Sequence, residues 1–329
     1  MGILTGKKVL LIAPDYHNYN SNIAAAYKNL GAEVTSFSQD PDTVLFTNFY
    51  LSRLERFSLF KKLYRHEVNK KNKKILSSIK RKDFDHVVVI KGDLLTEDTL
   101  IRLRNSLPNA IFVLFQWDSI KYYNYLHRIK YFNSVFSFDY EDCIQNEQII
   151  YLPLFYSPEY EKIASLKNIK YDNDLFFLGF NHTIRVKVIH EMIRFFEEKE
   201  LRYSINLMTT ISEKIKLLKK NSKINCFFKS LNFNQFADKY TNSKAIIDIS
   251  PPHQTGLPMR VIEAVGANKK IVTTNSNIIN ETFYDPKMIF IWGKDNPEDL
   301  VNFLDQEHKH SNSESYSINS FALNLVRDY

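Results

Sequence analysis

Apolar and β-branched runs alternate with helically spaced segments along the first half of the chain. Lys8 to Ala13, Glu33 to Phe37, His86 to Lys91, Ala110 to Phe115, Ser134 to Phe138 and Gln148 to Leu152 read as strands. Ser21 to Leu30 and Thr96 to Ser106 read as helices between them. This order predicts an α/β fold with a mostly parallel, doubly wound sheet. After Pro153 the alternation pauses, in a stretch ending Tyr171-Asp-Asn-Asp174 that we take as the crossing between domains. It restarts with a strand at Leu175 to Phe180 and a helix from about Ile184 to Glu198. Strands near Tyr203 to Leu207 and Ile224 to Phe228 follow, then a helix near Asn234 to Asn242. Met288 to Trp292 supplies a last strand, Pro297 to Asp305 a helix, His308 to Ser317 a polar loop, and Ile318 to Val326 a terminal helix. The expected organisation is a first domain over 1–155, a second over 172–311 and a terminal helix within 312–329. Two such domains facing one another make a cleft, and open α/β sheets bind ligands beyond the carboxyl ends of their strands.

The unit from Ala245 to Asn275 is the most informative part of the pattern. An apolar run ends in a proline-rich loop, the loop enters a short helix, and a second apolar run ends in Thr273-Thr274-Asn275. Its polar residues therefore gather at one end. Pro258 suits the first helical turn, where a missing N–H costs nothing, and Gly256 lets the backbone before it approach a ligand. Within the helix, Val261, Ile262 and Val265 form an apolar stripe, whereas Gly256, Arg260, Glu263 and Ala267 recur on another side. A guanidinium and a carboxylate beside exposed backbone at a helix start suit a sugar nucleotide, the one pairing with phosphate oxygens and the other accepting from hydroxyls. An intrahelical surface pair between Arg260 and Glu263 explains the same spacing.

The stretch Gln254-Thr-Gly-Leu-Pro-Met-Arg-Val-Ile-Glu263-Ala, followed by Lys270-Ile-Val-Thr-Thr-Asn275, resembles the donor-binding segment of GT-B glycosyltransferases. It is similar, more narrowly, to a group of bacterial polysaccharide and lipopolysaccharide biosynthesis proteins described as CgeB-like or as capsule proteins. Gln116-Trp-Asp-Ser-Ile, Phe136-Ser-Phe-Asp-Tyr-Glu-Asp142, Leu152-Pro-Leu-Phe-Tyr156 and Leu178-Gly-Phe-Asn-His-Thr-Ile-Arg185 resemble the same group, so the likeness spans roughly residues 110 to 275. It implies two Rossmann-like domains, a nucleotide-diphosphate sugar held by Gln254, Thr255, Gly256, Leu257, Arg260 and Glu263, and a terminal helix returning to the first domain. Many retaining GT-B enzymes carry two glutamates around this helix with seven residues between them. Glu263 matches the second, which implies a catalytic or donor-contacting role, but the first falls on Thr255, so the stereochemical outcome stays open. The implied activity is that of a hexosyltransferase in capsule, O-antigen or exopolysaccharide biosynthesis, with a growing surface polysaccharide or a polyprenyl-linked glycan as acceptor. Two rival readings share the fold: a sugar-nucleotide epimerase, and a non-catalytic subunit that binds a glycan or a partner enzyme.

Other candidates come from strand ends. Asp118 follows the strand Ala110 to Phe115 and lies against Trp117; a carboxylate there can act as general base on an acceptor hydroxyl, or Asp118 or Ser119 can cap a helix beginning near Ile120. Asp139 is placed similarly, with a cap as the stronger expectation. The loop Ala13-Pro-Asp15-Tyr-His17-Asn offers Asp15 and His17 to an acceptor sugar, although loop acids commonly just form turns. Gly179-Phe-Asn-His182-Thr opens the helix containing Arg185, where His182 and Arg185 suit the donor diphosphate. Thr274, Asn275 and His253 are lesser candidates by position.

Composition narrows the function classes. A chain of 329 residues that is 44% hydrophobic, with 25 Phe and 19 Tyr, has ample core for two domains. Cys143 and Cys226 form no metal-type or redox pair, which suits a reducing cytosol. The first residues carry no long apolar stretch before their charges, so no leader or span is expected there. No glycine-rich dinucleotide fingerprint and no GxxxxGK loop occurs, which argues against a dehydrogenase or a kinase. Asp40-Pro-Asp42, Asp83-Phe-Asp85 and Asp172-Asn-Asp174 have metal-binding spacing, but the last two precede strands instead of following them. We expect no metal and no other cofactor. Between Arg53 and Lys82 twelve Lys or Arg face only Glu55 and Glu67, about +10 within a chain of +7, which leaves about −3 elsewhere. With Leu54, Phe57, Leu59, Phe60, Leu63, Tyr64, Val68, Ile75, Leu76 and Ile79 interleaved, the segment predicts an amphipathic helix or helix pair. It is either an ordinary solvated face or one drawn to anionic lipid, which would make a cytoplasmic protein peripheral at the inner face of the cell membrane. No nucleic-acid-binding motif accompanies it.

Overall fold

The computed structural model describes residues 2–15, 18–41, 58–79, 83–181, 183–218, 223–229, 231, 233–251 and 254–327. By packing, the chain divides into two units: Met1–Pro153 with Ile318–Tyr329, and Leu154–Ser317.

The first unit holds the strands β1 (Lys8–Ala13), β2 (Glu33–Ser38), β3 (His86–Ile90), β4 (Ile111–Gln116), β5 (Ser134–Ser137) and β6 (Ile149–Tyr151). They pair in parallel in the order β2-β1-β3-β4-β5-β6. The central strands are buried on both faces, which is why Leu10 to Ala13, Val87 to Ile90 and Phe112 to Phe115 read as unbroken apolar runs. The edge strand β2 is mostly polar, with Val34 and Phe37 its apolar residues, and none of its residues is fully buried. The helices α1 (Tyr19–Asn29), α2 (Ser58–Ser78), α3 (Glu97–Ser106) and α4 (Tyr140–Gln145) flank the sheet. Thr96 caps α3 by accepting from the Thr99 amide, and Glu97 and Asp98 complement its first turn. The described part of the basic segment is α2, whose Val68, Asn72 and Ile75 are buried; Arg53 to Phe57 and Lys80 to Lys82 lie outside the described residues. Asn72 ties the helix to the chain after β3 through Leu94 O (2.9 Å) and Thr96 N (3.0 Å).

The second unit repeats the plan with β7 (Asn173–Phe180), β8 (Tyr203–Met208), β9 (Asn225–Phe227), β10 (Ser243–Asp248), β11 (Lys270–Thr273) and β12 (Ile289–Ile291), in the order β12-β11-β10-β7-β8-β9. Its helices are α5 (Pro158–Ala164), α6 (Thr183–Glu198), α7 (Ile211–Leu218), α8 (Phe233–Thr241), α9 (Met259–Gly266) and α10 (Leu300–Asp305). Strand period two sorts the side chains. Leu175 and Phe177 join Ile189, Met192 and Phe196 of α6 on one face, while Phe176 packs with Phe236 and Tyr240 of α8 on the other. The expected crossing segment packs within this unit, since Tyr160 of α5 meets Phe233 and Tyr240 edge-on. The last helix, α11 (Ile318–Leu325), belongs to the first unit, where Phe321 meets Phe115 at 4.8 Å. No helix among the described residues is long and apolar enough to cross a membrane.

Candidate functional site

Each sheet has a point where its strand order reverses, between β1 and β3 in the first and between β7 and β10 in the second. At such a point the connections leave to opposite sides and open a crevice at the strands' carboxyl ends. Arg185 and Arg260 lie by the second of these places, whereas Asp15 and Asp118 follow β1 and β4, one on the reversal point of the first sheet and one beside it.

In the second unit, the end of β10 supplies Asp248, which has no exposed surface. Its carboxylate accepts from Thr273 Oγ1 (2.9 Å) and Ser250 Oγ (3.0 Å) and pairs with Arg260 Nη1 at 3.2 Å. Arg260, in the first turn of α9, thus pairs across to β10 and not with Glu263. Its guanidinium lies 5.2 Å over the Phe177 ring, and its side chain keeps 22% of its surface open. Nε and Nη2 have no partner among the described residues, so donors remain for a ligand. Gly179 makes room for this stack: a Cβ there would lie 2.9 Å from Phe177 Cζ and 3.4 Å from Arg260 Nη2. Arg185 also sits over Phe177, at 5.8 Å, with Nε and Nη2 each 3.1 Å from Ile249 O and Nη1 2.7 Å from Phe180 O. Two guanidiniums therefore share one ring at the reversal point of the sheet.

The loop before α9 is held from β11. Asn275 is buried, donates to Thr255 O (3.1 Å) and Gly256 O (3.3 Å), and caps the following turn by accepting from Asn277 N. Thr274 accepts from Ser250 N at 3.1 Å, and Gln254 Nε2 lies 3.4 Å from Gly256 O. Two expectations change here. Leu257 is 2% exposed and belongs to the core, and Gly256 and Ala267 are buried, so the open part of the proposed ligand face of α9 reduces to Arg260 and Glu263. Glu263 is half-buried and close enough to Tyr240 for its charge to add to the burial that holds that phenol protonated. His182, His253 and, in the first unit, His17 lie outside the described residues.

In the first unit, Asp118 follows β4 with 38% of its side chain exposed and pairs with Lys91 Nζ at 3.1 Å. Lys91 also reaches Asp93 at 3.2 Å. Burial pulls the Lys91 proton affinity down, and the two carboxylates reverse that to a net rise. Trp117 is half-buried and meets Tyr19 edge-on at 6.0 Å. Asp15 is exposed, and its amide donates to Asp40 Oδ2 at 2.6 Å. Burial raises the Asp40 pKa, with the nearby Asp93 charge adding to it. No helix begins at Ile120; residues 120–122 form a turn, and Asp142 takes the Ile120 amide (2.9 Å) and the Tyr125 hydroxyl (2.9 Å). Asp139 is 1% exposed and caps α4 by accepting from Glu141 N and Asp142 N, the stronger of the two roles expected for it.

Sequence reasoning missed Asp248, Lys91, Asp93 and Asp142. The first had a signal, a carboxylate inside the apolar run Ala-Ile-Ile-Asp-Ile; Lys91 had one too, a cation closing an apolar strand ahead of Gly92-Asp93. Among the described residues no group of three or more His, Cys, Asp or Glu has the arrangement of a metal site. Asp85 accepts from Lys8 N, and Asp174 from Arg202 N, so both cap the amino ends of neighbouring strands.

No protein-family model matches the chain, and no curated protein does. Solved structures match it along nearly its whole length. An alpha-glucosyltransferase in complex with UDP and a 13-mer DNA containing a central A:G mismatch is 12% identical, covers 97% of this chain and 94% of its own, and has a TM-score of 0.60. AviGT4, a glycosyltransferase involved in Avilamycin A biosynthesis, is 12% identical over 97% and 93%, with a TM-score of 0.57. The UDP-GlcNAc 2-epimerase from Methanocaldococcus jannaschii is 13% identical over 97% and 98%, with a TM-score of 0.55. At these identities the likeness is one of fold, and the fold is the GT-B one.

Proposed function

We propose that the chain is a GT-B glycosyltransferase whose second unit binds a nucleoside-diphosphate sugar and whose first unit holds the acceptor hydroxyl. The observation that carries this is Arg260, a guanidinium fixed by fully buried Asp248 and by the Phe177 ring at the reversal point of a parallel sheet, with Arg185 on the same ring. A planar cation with donors to spare suits a diphosphate, Arg185 adds a second positive charge beside it, and the start of α9 adds backbone dipole of the same sign. In the reaction the acceptor oxygen forms a bond to the anomeric carbon of the sugar. The bond from that carbon to the diphosphate oxygen breaks, and its electron pair stays on the departing nucleoside diphosphate. The acceptor proton passes to the Asp118 carboxylate. Arg260 and Arg185 meet the leaving charge, so we propose that no metal takes part. An epimerase of this fold has no use for an acceptor, and the half-exposed Asp118 held at the end of β4 favours the transferase. The acceptor class, a surface polysaccharide or a lipid-linked glycan, rests on the resemblance of residues 110 to 275 to CgeB-like and capsule proteins.

The test is a thermal-shift screen of uridine, guanosine, cytidine and thymidine diphosphates and their sugars, with and without EDTA. One base should raise the melting temperature by a few degrees, since about 2.7 kcal/mol of stabilisation accompanies ligand at 100 times Kd. The shift should survive chelation and vanish in Arg260→Ala. A shift that the substitution leaves intact places the donor elsewhere.

We further propose that α2 rests on anionic membrane at the cytoplasmic face. Leu59 and Leu63 are 69% and 52% exposed beside Lys61, Lys62 and Arg65, and each basic residue near such a surface contributes roughly 1 kcal/mol. Sedimentation with phosphatidylglycerol vesicles but not with phosphatidylcholine vesicles is expected, reduced in Leu59→Ser/Leu63→Ser. Equal partition between the two lipids rules the contact out.

A further inference from the structure

We propose that Lys91 is a positioning residue for Asp118, an inference that rests on the acceptor-side role given to that carboxylate above. Lys91 and Gly92 follow β3 with φ of 64° and 66°, both in the left-handed region. Glycine adopts this conformation freely, and at 92 a Cβ would also lie 2.7 Å from Val89 Cγ1. Lysine does not adopt it freely, so a left-handed lysine persists only where its surroundings hold it. They do so from three sides. The Lys91 amide donates to Phe115 O (2.8 Å), Gln116 Nε2 donates to Lys91 O (2.6 Å), and Arg128 Nη1 donates to Gly92 O (2.7 Å) and Leu95 O (2.7 Å). Gln116 and Arg128 are thereby spent on backbone carbonyls of a single turn.

The consequence of this turn is the place of one ammonium. It bridges Asp93, on its own loop, and Asp118, on the neighbouring strand's end, at 3.2 and 3.1 Å. Asp93 is fixed in turn by Gln39 Nε2 at 2.8 Å, and Gln39 is itself buried. A chain of contacts from β2 through β3 to β4 therefore ends on the one carboxylate of the series that keeps more than a third of its surface open. Held this way, Asp118 has a fixed rotamer toward an approaching hydroxyl, and orientation of a proton acceptor is worth large factors in rate.

Lys91→Gly separates this role from a structural one, because it removes the ammonium while relieving the backbone. The variant should melt at or above the parent temperature. With UDP-glucose, UDP-galactose, UDP-N-acetylglucosamine, GDP-mannose, CDP-glucose and dTDP-glucose as donors, and water or octyl β-D-glucoside as acceptor, its kcat should fall about 100-fold with donor KM unchanged. Lys91→Arg, whose fork can span both carboxylates, should restore most of the rate. Parent-like kcat in Lys91→Gly overturns the inference and leaves the transferase reading standing. So does a fall in melting temperature and rate together that Lys91→Arg fails to mend. A parent that turns over none of these donors overturns the transferase reading, and this inference with it.

Discussion

A carboxylate with no exposed surface must have its charge answered by the protein, and for Asp248 the answer is Arg260, Thr273 and Ser250. The three partners do different work: the two hydroxyls come from β11 and the loop after β10, and only the guanidinium brings charge. Removing the carboxylate strands a partly buried cation and two hydroxyl donors at once, a loss of about 3 kcal/mol or more. Asp248→Ala should show that loss in urea unfolding followed at Trp292, and Asp248→Asn, which keeps an acceptor for the hydroxyls, should lose clearly less. Alanine and asparagine costing the same would mean that the hydroxyl contacts contribute nothing. The same logic explains why Arg260 ignores Glu263 three residues along. An exposed intrahelical pair is worth a few tenths of a kcal/mol, far less than leaving Asp248 unpaired in the interior.

At the scale of elements, α9 is held on Tyr156 by Gly266. A Cβ at 266 would lie 2.3 Å from Tyr156 Cγ, and that ring is only 3% exposed, so it has nowhere to go. Gly266→Ala gains helix propensity but overpacks the contact, and the net effect should be a loss of about 1 to 3 kcal/mol. Thermal unfolding reads it directly, and combining it with Tyr156→Leu should return part of the loss; no recovery in the double variant would mean that the backbone contact is not the cause. The element itself was legible in the sequence, because Ala245 to Ile249 and Lys270 to Thr273 are apolar runs and Pro258 punctuates the helix start. So were both parallel sheets, since strands buried on two faces leave unbroken apolar runs. What the sequence hid were pairings across loops. Asp248 and Arg260, or Lys91 and Asp118, share no periodicity that links one partner to the other. The expected helix at Ile120 failed for a related reason: Asp142, from α4, takes the amide that a cap at Asp118 or Ser119 would have needed nearby. Short helices such as α4, α5 and α7 offer too few turns for apolar spacing to reveal them.

Over the whole molecule, the two ends of each sheet carry different chemistry. Carboxyl ends hold the candidate site groups, whereas amino ends hold groups that only stabilise: Asp85 on the Lys8 amide, Asp174 on Arg202, and the belt of Lys269 and His310 below β11. His310 sets the first acid limit of the second unit. Its Nε2 lies 2.8 Å from Lys269 O, its ring meets Phe283 edge-on, and burial pushes its pKa down to about 4. Between about pH 4 and the ordinary value of 6.5, the unfolded chain binds a proton that the folded chain refuses. Folding stability must therefore rise with pH across that window and fall as the solution is acidified through it. Asp174 and Asp285, both held below the usual carboxylate range, add their losses only at lower pH. Asp40 and Asp142, raised by burial, act in the opposite direction, but they belong to the first unit. The two tryptophans separate the units, Trp117 in the first and Trp292 in the second. In a Trp117→Phe background, urea unfolding followed at Trp292 should weaken steadily from pH 6.5 to 4, and His310→Gln should flatten that slope. An equal slope in the glutamine variant would mean that His310 is not the source of the acid sensitivity.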